Sequence, residues 1–458
     1  MRPLRLLKVR VLVEKKHLEK IVDLLNGNAH FYLSGIIKDI SGWEELLPLH
    51  GGLSLKEATY IEGWIPAKSA EEVSKKLKSL DRINCTFEII HEEENAPTIL
   101  RNHKILKPFE NIVRAFGTPA YNEIDPTPIL AMFFPLIFSL MFADLGQGFL
   151  LTLLGLTALI ANYKEVRLIR VEKWIEKEID ETHHIIVKLI IRTIKSSMKS
   201  IFNLTSYIVE NASIFLFCGI ASMVTGLLFG EFFGHHIEMV PFKLRIPQPI
   251  GITLPINSIE DPMNMFKLSI LVGGIHIGSG LVMSTINKIL EKDYLEAFLE
   301  PGCWLWFYVS FIYSIFTNKL EIMRWITNPL TFYGILAPLT IMLIGKMIIG
   351  DPAEGFAMTF EVAISSLSNT ISYGRILALN LAHSLMSSMF IKISGGNIAM
   401  MAIGTLIVMI LEGLVIFIHT TRLMWVEWFS KFYKGTGSEV ALSMPHTLFA
   451  GKISKFAH

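Results

Sequence analysis

Between Glu361 and Glu412 the chain contains no Asp or Glu. Yet Arg375 sits in the middle of that stretch, inside the apolar, small-residue run "SNTISYGRILALNLAHSLMSSMF". A cation with no acid near it in the chain must meet something else. Cysteine is almost as scarce. Cys85, Cys218 and Cys303 are isolated, with no CxxC pair and no histidine at ligand spacing, which excludes a disulfide framework and a zinc site. Charge is sparse too, at 18% of residues with a net charge of +1, so the clustered basic excess of a nucleic-acid binder is missing. There is no Gly-rich phosphate loop, no GxxxxGK[ST], and no Ser or Cys in a nucleophile context. The chain therefore binds ATP in no recognisable way, and no cofactor is implied. The start, "MRPLRLLKVRVLVEKK", has no apolar core of secretory-signal length and reads as the beginning of a cytoplasmic domain.

What is abundant is apolar surface. The 458 residues are 51% hydrophobic, with a mean hydropathy of +0.46, too apolar for a soluble chain of this length. Residues 1–110 differ from the rest. "LLKVRVLV" alternates like a strand, "EKKHLEKIVDLLNG" has helical spacing and a glycine stop, and "AHFYLSGI" is strand-like again. "ATYIEGWIP", "SAEEVSKKLKSLD" and "NCTFEII" repeat that order, with Ser69 placed to cap the helix. Together they predict a small ferredoxin-like α/β domain. Residues 111–127 read as a linker by composition, and 436–458 as a cytoplasmic tail.

From 128 to 435 long apolar runs recur, at about 128–142, 146–162, 212–233, 265–287, 302–318, 330–350, 356–390 and 398–430. Each approaches the ~20 residues a bilayer requires, so the expectation is a predominantly α-helical polytopic membrane protein with about eight transmembrane helices. The first two runs, parted by "FADLGQG", form either a hairpin or one kinked element. The loop "YKEVRLIRVEKWIEKEIDETHHIIVKLIIRTIKSSMKS" is rich in Lys and Arg, which puts it and both termini in the cytoplasm. The seventh run would reach roughly 50 Å, against a hydrocarbon core of about 30 Å, so the last two helices are expected to be long and tilted.

Along the seventh run Glu361, Ser365, Ser368, Ser372 and Arg375 follow steps of four, three, four and three, one face of a helix. Asn380 and His383 continue the polar contribution, and the eighth run answers with Glu412, His419 and Arg422. Blander readings exist for most of these. The two histidines suit ordinary hydrogen bonding, the serines suit close helix packing, and Arg422 suits a pairing with Glu412 or Glu361. His183–His184 and His235–His236 read as solvated loop residues. Arg375 is different, because a mid-span charge costs about 2.5–3.5 kcal/mol on insertion scales and marks function by default.

"SNTISYGRILALNLAHSLM" and "LEGLVIFIHTTRLMWVEWFSKFYKGTG" resemble the two signature helices of the membrane subunit of vacuolar- and archaeal-type (V/A-type) rotary ATPases, subunit a or subunit I. "EGWIP", "EIDPTP", "FPLIFSLMFADLGQG", "GLLFGEFFG" and "GGIHIGSGLVMSTIN" resemble family landmarks in the same order, so the likeness covers nearly the whole chain. The resemblance implies that the acid met by Arg375 lies on the subunits of a rotating proteolipid ring, with Arg422 in support. It implies a proton path of two half-channels. Glu361, Ser365, Ser368 and Ser372 would belong to the cytoplasmic one, and His383, Glu412 and His419 to the other. Asp144 and Glu231 are weaker candidates that suit a structural role equally. Implied partners are the ring, peripheral-stalk subunits, a central-stalk ring-adapter subunit, membrane lipid and, indirectly, the nucleotide-binding A and B subunits. By the same resemblance the chain does no ATP chemistry itself. Family members usually carry a longer N-terminal region with a coiled-coil arm, so the N-terminal domain is expected to be shortened here. The competing readings are a stand-alone transporter or channel whose arginine binds an anion, and a structural anchor with a degenerate path. Sodium transport is a variant of the first reading.

Overall fold

The computed structural model describes residues 6–14, 32–37, 58–78, 85–90, 98, 100, 102–120, 123–163, 207–236, 244–248, 250–318, 325 and 327–437. The helix expected near residue 20, the basic loop with His183–His184, and the tail beyond 437 lie outside these residues. Two units are distinguishable. One contains the described residues up to 100, together with 114–125 and 433–437; the other contains 102–113 and 126–432.

In the first unit the alternation of "LLKVRVLV" does what the period of two demands. Strand β1 (Leu6–Glu14) buries Val9 and Val11 on one face, and Leu6 at its start on the other. It pairs antiparallel with β3 (Ala58–Pro66) on one side and β4 (Cys85–Ile90) on the other, while β2 (Tyr32–Ile37) pairs with β3. The sheet order is β2-β3-β1-β4. Helix α1 (Ala67–Lys78) lays Ala70 and Val73, three apart, on the sheet. It starts at Ala67, directly after Pro66 ends the strand, so Ser69 lies inside the first turn and is not the cap that the sequence suggested. Elsewhere in this unit the Tyr433 hydroxyl donates to the Gly117 carbonyl at 2.7 Å, and the Lys434 and Gly437 amides bind Glu123 and Thr118 at 2.9 Å each.

The second unit is helical. Helix α2 (Lys107–Phe116) begins in it, across the position where the sequence reading placed the start of a linker. The helices α3 (Thr127–Met141) and α4 (Leu145–Tyr163) are separate elements parted at Phe142–Asp144. Against α4 packs α5 (Ala212–Phe229), and this contact is set by glycine. Gly148 and Gly155, seven apart on α4, face Met223 and Leu216; a Cβ on Gly148 would stand 2.8 Å from the Met223 amide nitrogen. Small residues at such spacing let two backbones touch where lipid supplies no hydrophobic drive. Helix α5 stops at Gly230, whose left-handed φ of 72° no ordinary side chain favours. The chain then turns back as the hairpin β5 (Glu231–Phe232) and β6 (His235–His236), so the third apolar run ends four residues earlier than expected. His235 and His236 are exposed, as solvated residues should be. A second two-residue pairing, β7 (Leu244–Arg245) with β8 (Thr253–Leu254), follows.

Next come α6 (Pro262–Leu290), α7 (Tyr294–Ala297), a π-helical turn at Phe298–Gly302, α8 (Cys303–Asn318) and α9 (Pro329–Ile349). Lys288 reaches Glu296 at 2.5 Å and Glu300 at 3.7 Å, and Lys346 reaches Glu300 at 2.6 Å, tying the ends of α6 and α9 together. The hydrogen bond from Lys288 holds the Glu296 carboxyl below the usual carboxylate range. The seventh run is two helices, α10 (Pro352–Ser372) and α11 (Gly374–Ser394), interrupted at Tyr373. After Gly395 and Gly396, both at positive φ, α12 (Ile398–Arg422) runs on through a π-helical turn (Leu423–Trp428) into a short 3-10 segment (Phe429–Lys431).

Among the described residues five helical stretches are long and apolar enough to cross a membrane: Ala212–Phe229, Pro262–Leu290, Pro329–Ile349, Pro352–Ser394 and Ile398–Lys431. Helices α3 and α4 are shorter and apolar. The protein is thus mostly helical and built for a bilayer. The last two stretches, 43 and 34 residues, are the longest of the five, as expected.

Candidate functional site

The interruption at Tyr373 positions the arginine. Its ring is fully buried against Gly273 of α6, where a Cβ would collide with it. Its hydroxyl lies 2.6 Å from His276 Nδ1, and the His276 ring stacks on Trp428 at 5.1 Å. Trp428 in turn donates Nε1 to Ser279 at 3.0 Å. A buried network of this kind fixes one geometry. It sets the first turn of α11, and so Arg375, beside the π-helical turn that carries Glu427.

Arg375 Nη2 donates to Glu427 Oε1 at 3.2 Å. This overturns the expectation that the arginine lacks an acid of its own chain: the acid lies 52 residues away in sequence. The Glu427 side chain is 3% exposed and that of Arg375 21%. Among the described residues Arg375 Nη1 and Glu427 Oε2 are buried without a partner, so the pair is joined by one bond where a fork permits two. The accessible side of the guanidinium opens on a shallow groove of about 520 Å³ lined by Ile364, Leu367, Ser368, Ile371 and Ser372.

Two polar tracks lead away from Arg375. Along α10, Ser372 and Ser365 are half-buried and Ser368 and Glu361 exposed, a line of roughly 21 Å at 1.5 Å per residue. Ser365 accepts from Lys431 Nζ at 3.1 Å and from Asn369 at 3.2 Å, with Lys431 4.4 Å above the Trp304 ring. Along α11 the other track is buried. Asn380 donates to the Leu140 carbonyl at 3.0 Å and accepts from Ser258. His383 Nδ1 meets Glu412 Oε2 of α12, Ser384 donates to Glu231 Oε1 at 2.5 Å, and Gln147 donates to Ser387 at 3.2 Å. From Arg375 to Ser387 this covers roughly 18 Å. Gln147 Oε1, Glu231 Oε2, His383 Nε2 and Glu412 Oε1 are buried in this track with no partner among the described residues.

The remaining sequence candidates divide. His419 is half-buried with Nδ1 unpartnered among the described residues. Arg422 is exposed, and no ion pair joins it to Glu412, which meets His383, or to Glu361. Asp144 is fully buried and spent on backbone: Oδ1 accepts from the Gln147 and Phe233 amides at 2.9 and 3.0 Å, and Oδ2 from Gly234 at 2.8 Å. Sequence reasoning missed Glu427, Gln147, Ser384, Ser387 and Lys431. For Glu427 and Lys431 the only signal was a charge set among the aromatics of "RLMWVEWFSKFY".

Fold and site together define a polytopic membrane protein with ionisable groups threaded through its helices around one arginine. The V-type ATPase 116kDa subunit family matches it over residues 52–188 and 356–441. Over 451 residues the chain is 28% identical to the A-type ATP synthase subunit I of Methanocaldococcus jannaschii, covering 87% of this chain and 58% of that protein. To the subunit I of Pyrococcus horikoshii it is 25% identical over 396 residues (82% and 52% covered). To the V-type proton ATPase subunit a3 of Arabidopsis thaliana it is 23% identical over 520 residues (84% and 57%). The chain is similar to this family of ATPase membrane subunits over those segments. It spans about half the length of the curated relatives it matches.

Proposed function

We propose that the chain is the stator membrane subunit of a V/A-type rotary ATPase or ATP synthase, forming the proton path against a proteolipid ring. The observation that carries the reading is the meeting of two polar tracks at a partly exposed arginine that opens onto a groove. A guanidinium keeps its charge at any working pH, so it stabilises the anion of each carboxyl brought to the groove and bars direct proton passage between the tracks. Ser365, Ser368, Ser372 and Glu361 form the cytoplasmic half-channel; Glu412, His383 and His419 form the other, and Arg422 supports the field. Both termini lie in the cytoplasm. The strand order β2-β3-β1-β4 supports a ferredoxin-like N-terminal domain, which we assign to contact with stalk subunits. The nucleotide-binding subunits are reached only through those stalks. A solute transporter that bound an anion at Arg375 would need an enclosed pocket there, and the groove is open.

The test has two parts. Mild-detergent purification of the tagged chain with mass spectrometry should recover a small proteolipid with a buried Glu or Asp, together with nucleotide-binding subunits. In vesicles carrying that complex, Arg375→Ala should abolish ATP-driven acidification while the complex still assembles. Full acidification by that variant refutes the reading, and recovery of the chain alone moves it to the transporter.

A further inference from the structure

We infer that Glu427 is the resting counter-ion of Arg375, a positioning residue that holds the guanidinium at the groove by one exchangeable bond. The inference rests on the reading just proposed and assigns a residue that it leaves unused. Glu427 is too deeply buried to enter the groove itself, whereas Arg375 reaches both places. The bond between them uses one of two available Nη groups and one of two oxygens. Arg375 can therefore take a second carboxylate at the edge of the guanidinium that opens on the groove before it gives up the first, and return to Glu427 when that carboxylate leaves.

The surroundings favour this role. The charged and titratable groups that act on this locus are Glu361 from α10, Arg375 from α11, His419 and Arg422 from α12, Lys431 from the 3-10 segment, and Tyr373 and Tyr308. Three cations thus converge on a locus whose buried acid, among the described residues, is Glu427. Removing that acid leaves a buried cation uncompensated. Such an arginine binds a visiting carboxylate more tightly and releases it more slowly.

The experiment uses the whole complex in vesicles and follows the rate of ATP-driven acidification against pH. On the acid limb, protons compete with Arg375 for the visiting carboxylate, so a stronger hold by the arginine moves that limb to lower pH. Glu427→Gln should slow turnover about tenfold and lower the limb by about one unit, the small end of what an opposite charge within 4–6 Å does. Glu427→Asp, which withdraws the charge by one methylene, should move the limb the same way by less. A residue that merely packs would slow both variants and leave the limb in place; that result, or wild-type behaviour, overturns the inference. If Glu427→Gln does not assemble, the limb of Glu427→Asp decides by itself. Arg375→Ala runs alongside: full activity there sinks the parent reading, while its loss with an unmoved Glu427 limb sinks only this one.

Discussion

Asp144 offers the sharpest separation of scaffold from pathway. Its carboxylate accepts three backbone N–H groups, from Gln147, Phe233 and Gly234, at 2.8–3.0 Å and in full burial. One of these closes the first turn of α4. The other two hold the hairpin turn where Phe233 takes a φ of 47° and Gly234 one of 74°. A hydrogen bond to a charged acceptor contributes about 1.5–3 kcal/mol net, and three bonds to one group fall short of additive. Asp144→Ala should therefore cost about 4 kcal/mol by stranding one buried and two part-buried donors, and Asp144→Asn about half that, since one amide oxygen still accepts. With an unfolding entropy of about 2.1 cal/mol/K per residue, a chain of this length shifts by about 1 °C per kcal/mol, so the alanine variant should melt about 4 °C lower. The assay is thermal unfolding of the purified chain in detergent, followed by fluorescence. An unchanged midpoint together with lost acidification would refute the structural assignment and return Asp144 to the proton path.

Glu412→Gln should slow acidification several-fold without stopping it, because the amide keeps a bond to His383 but carries no proton onward; unchanged turnover in vesicles would assign Glu412 to packing. Glu231→Gln should slow turnover with the melting temperature unmoved, since the amide oxygen still accepts from Ser384; a melting loss like that of Asp144→Ala would make Glu231 scaffold. Glu296 is held below the ordinary carboxylate range by Lys288, so its contribution is present above ~4.3 and lost as pH falls through its folded value. Glu296→Gln should thus lower the melting temperature slightly at pH 7 and leave it alone once the pH is below that folded value; equal effects at both would show that the pair contributes nothing through charge.

The sequence made the helical stripes legible because helix periodicity is local. Ser365, Ser372 and Arg375 follow one face, and Glu412 and His383 stand out as ionisable groups inside apolar runs. The partners of these residues were not legible. Ser384 meets Glu231 across 153 residues, and Gln147 meets Ser387 across 240, distances over which a single chain's pattern carries no register. The break at Tyr373 was hidden for a related reason. "ISYGR" holds only one glycine, and the glycine that makes room for the Tyr373 ring, Gly273, is on another helix. Glu427 escaped because a π-helical turn adds a residue to the turn and so shifts every later side chain off the face that a 3.6-residue count assigns it. The hairpin at 231–236 was written in Gly230 and Gly234, yet the apolar count of the preceding run absorbed it.

The acids of this protein differ less in burial than in how much hydrogen-bonding capacity they have left. Asp144 has given both oxygens to main-chain donors. Glu231, Glu412 and Glu427 each keep one oxygen bonded and one buried without a partner among the described residues. A buried oxygen in that condition is costly unless a proton, a water or a second donor reaches it in turn. Selection for stability alone would have filled those positions with apolar side chains, which are often neutral or better at a buried ion pair. Their unspent oxygens are what a path that must pass protons requires, and they lie along α11, beside Glu412, and at Arg375.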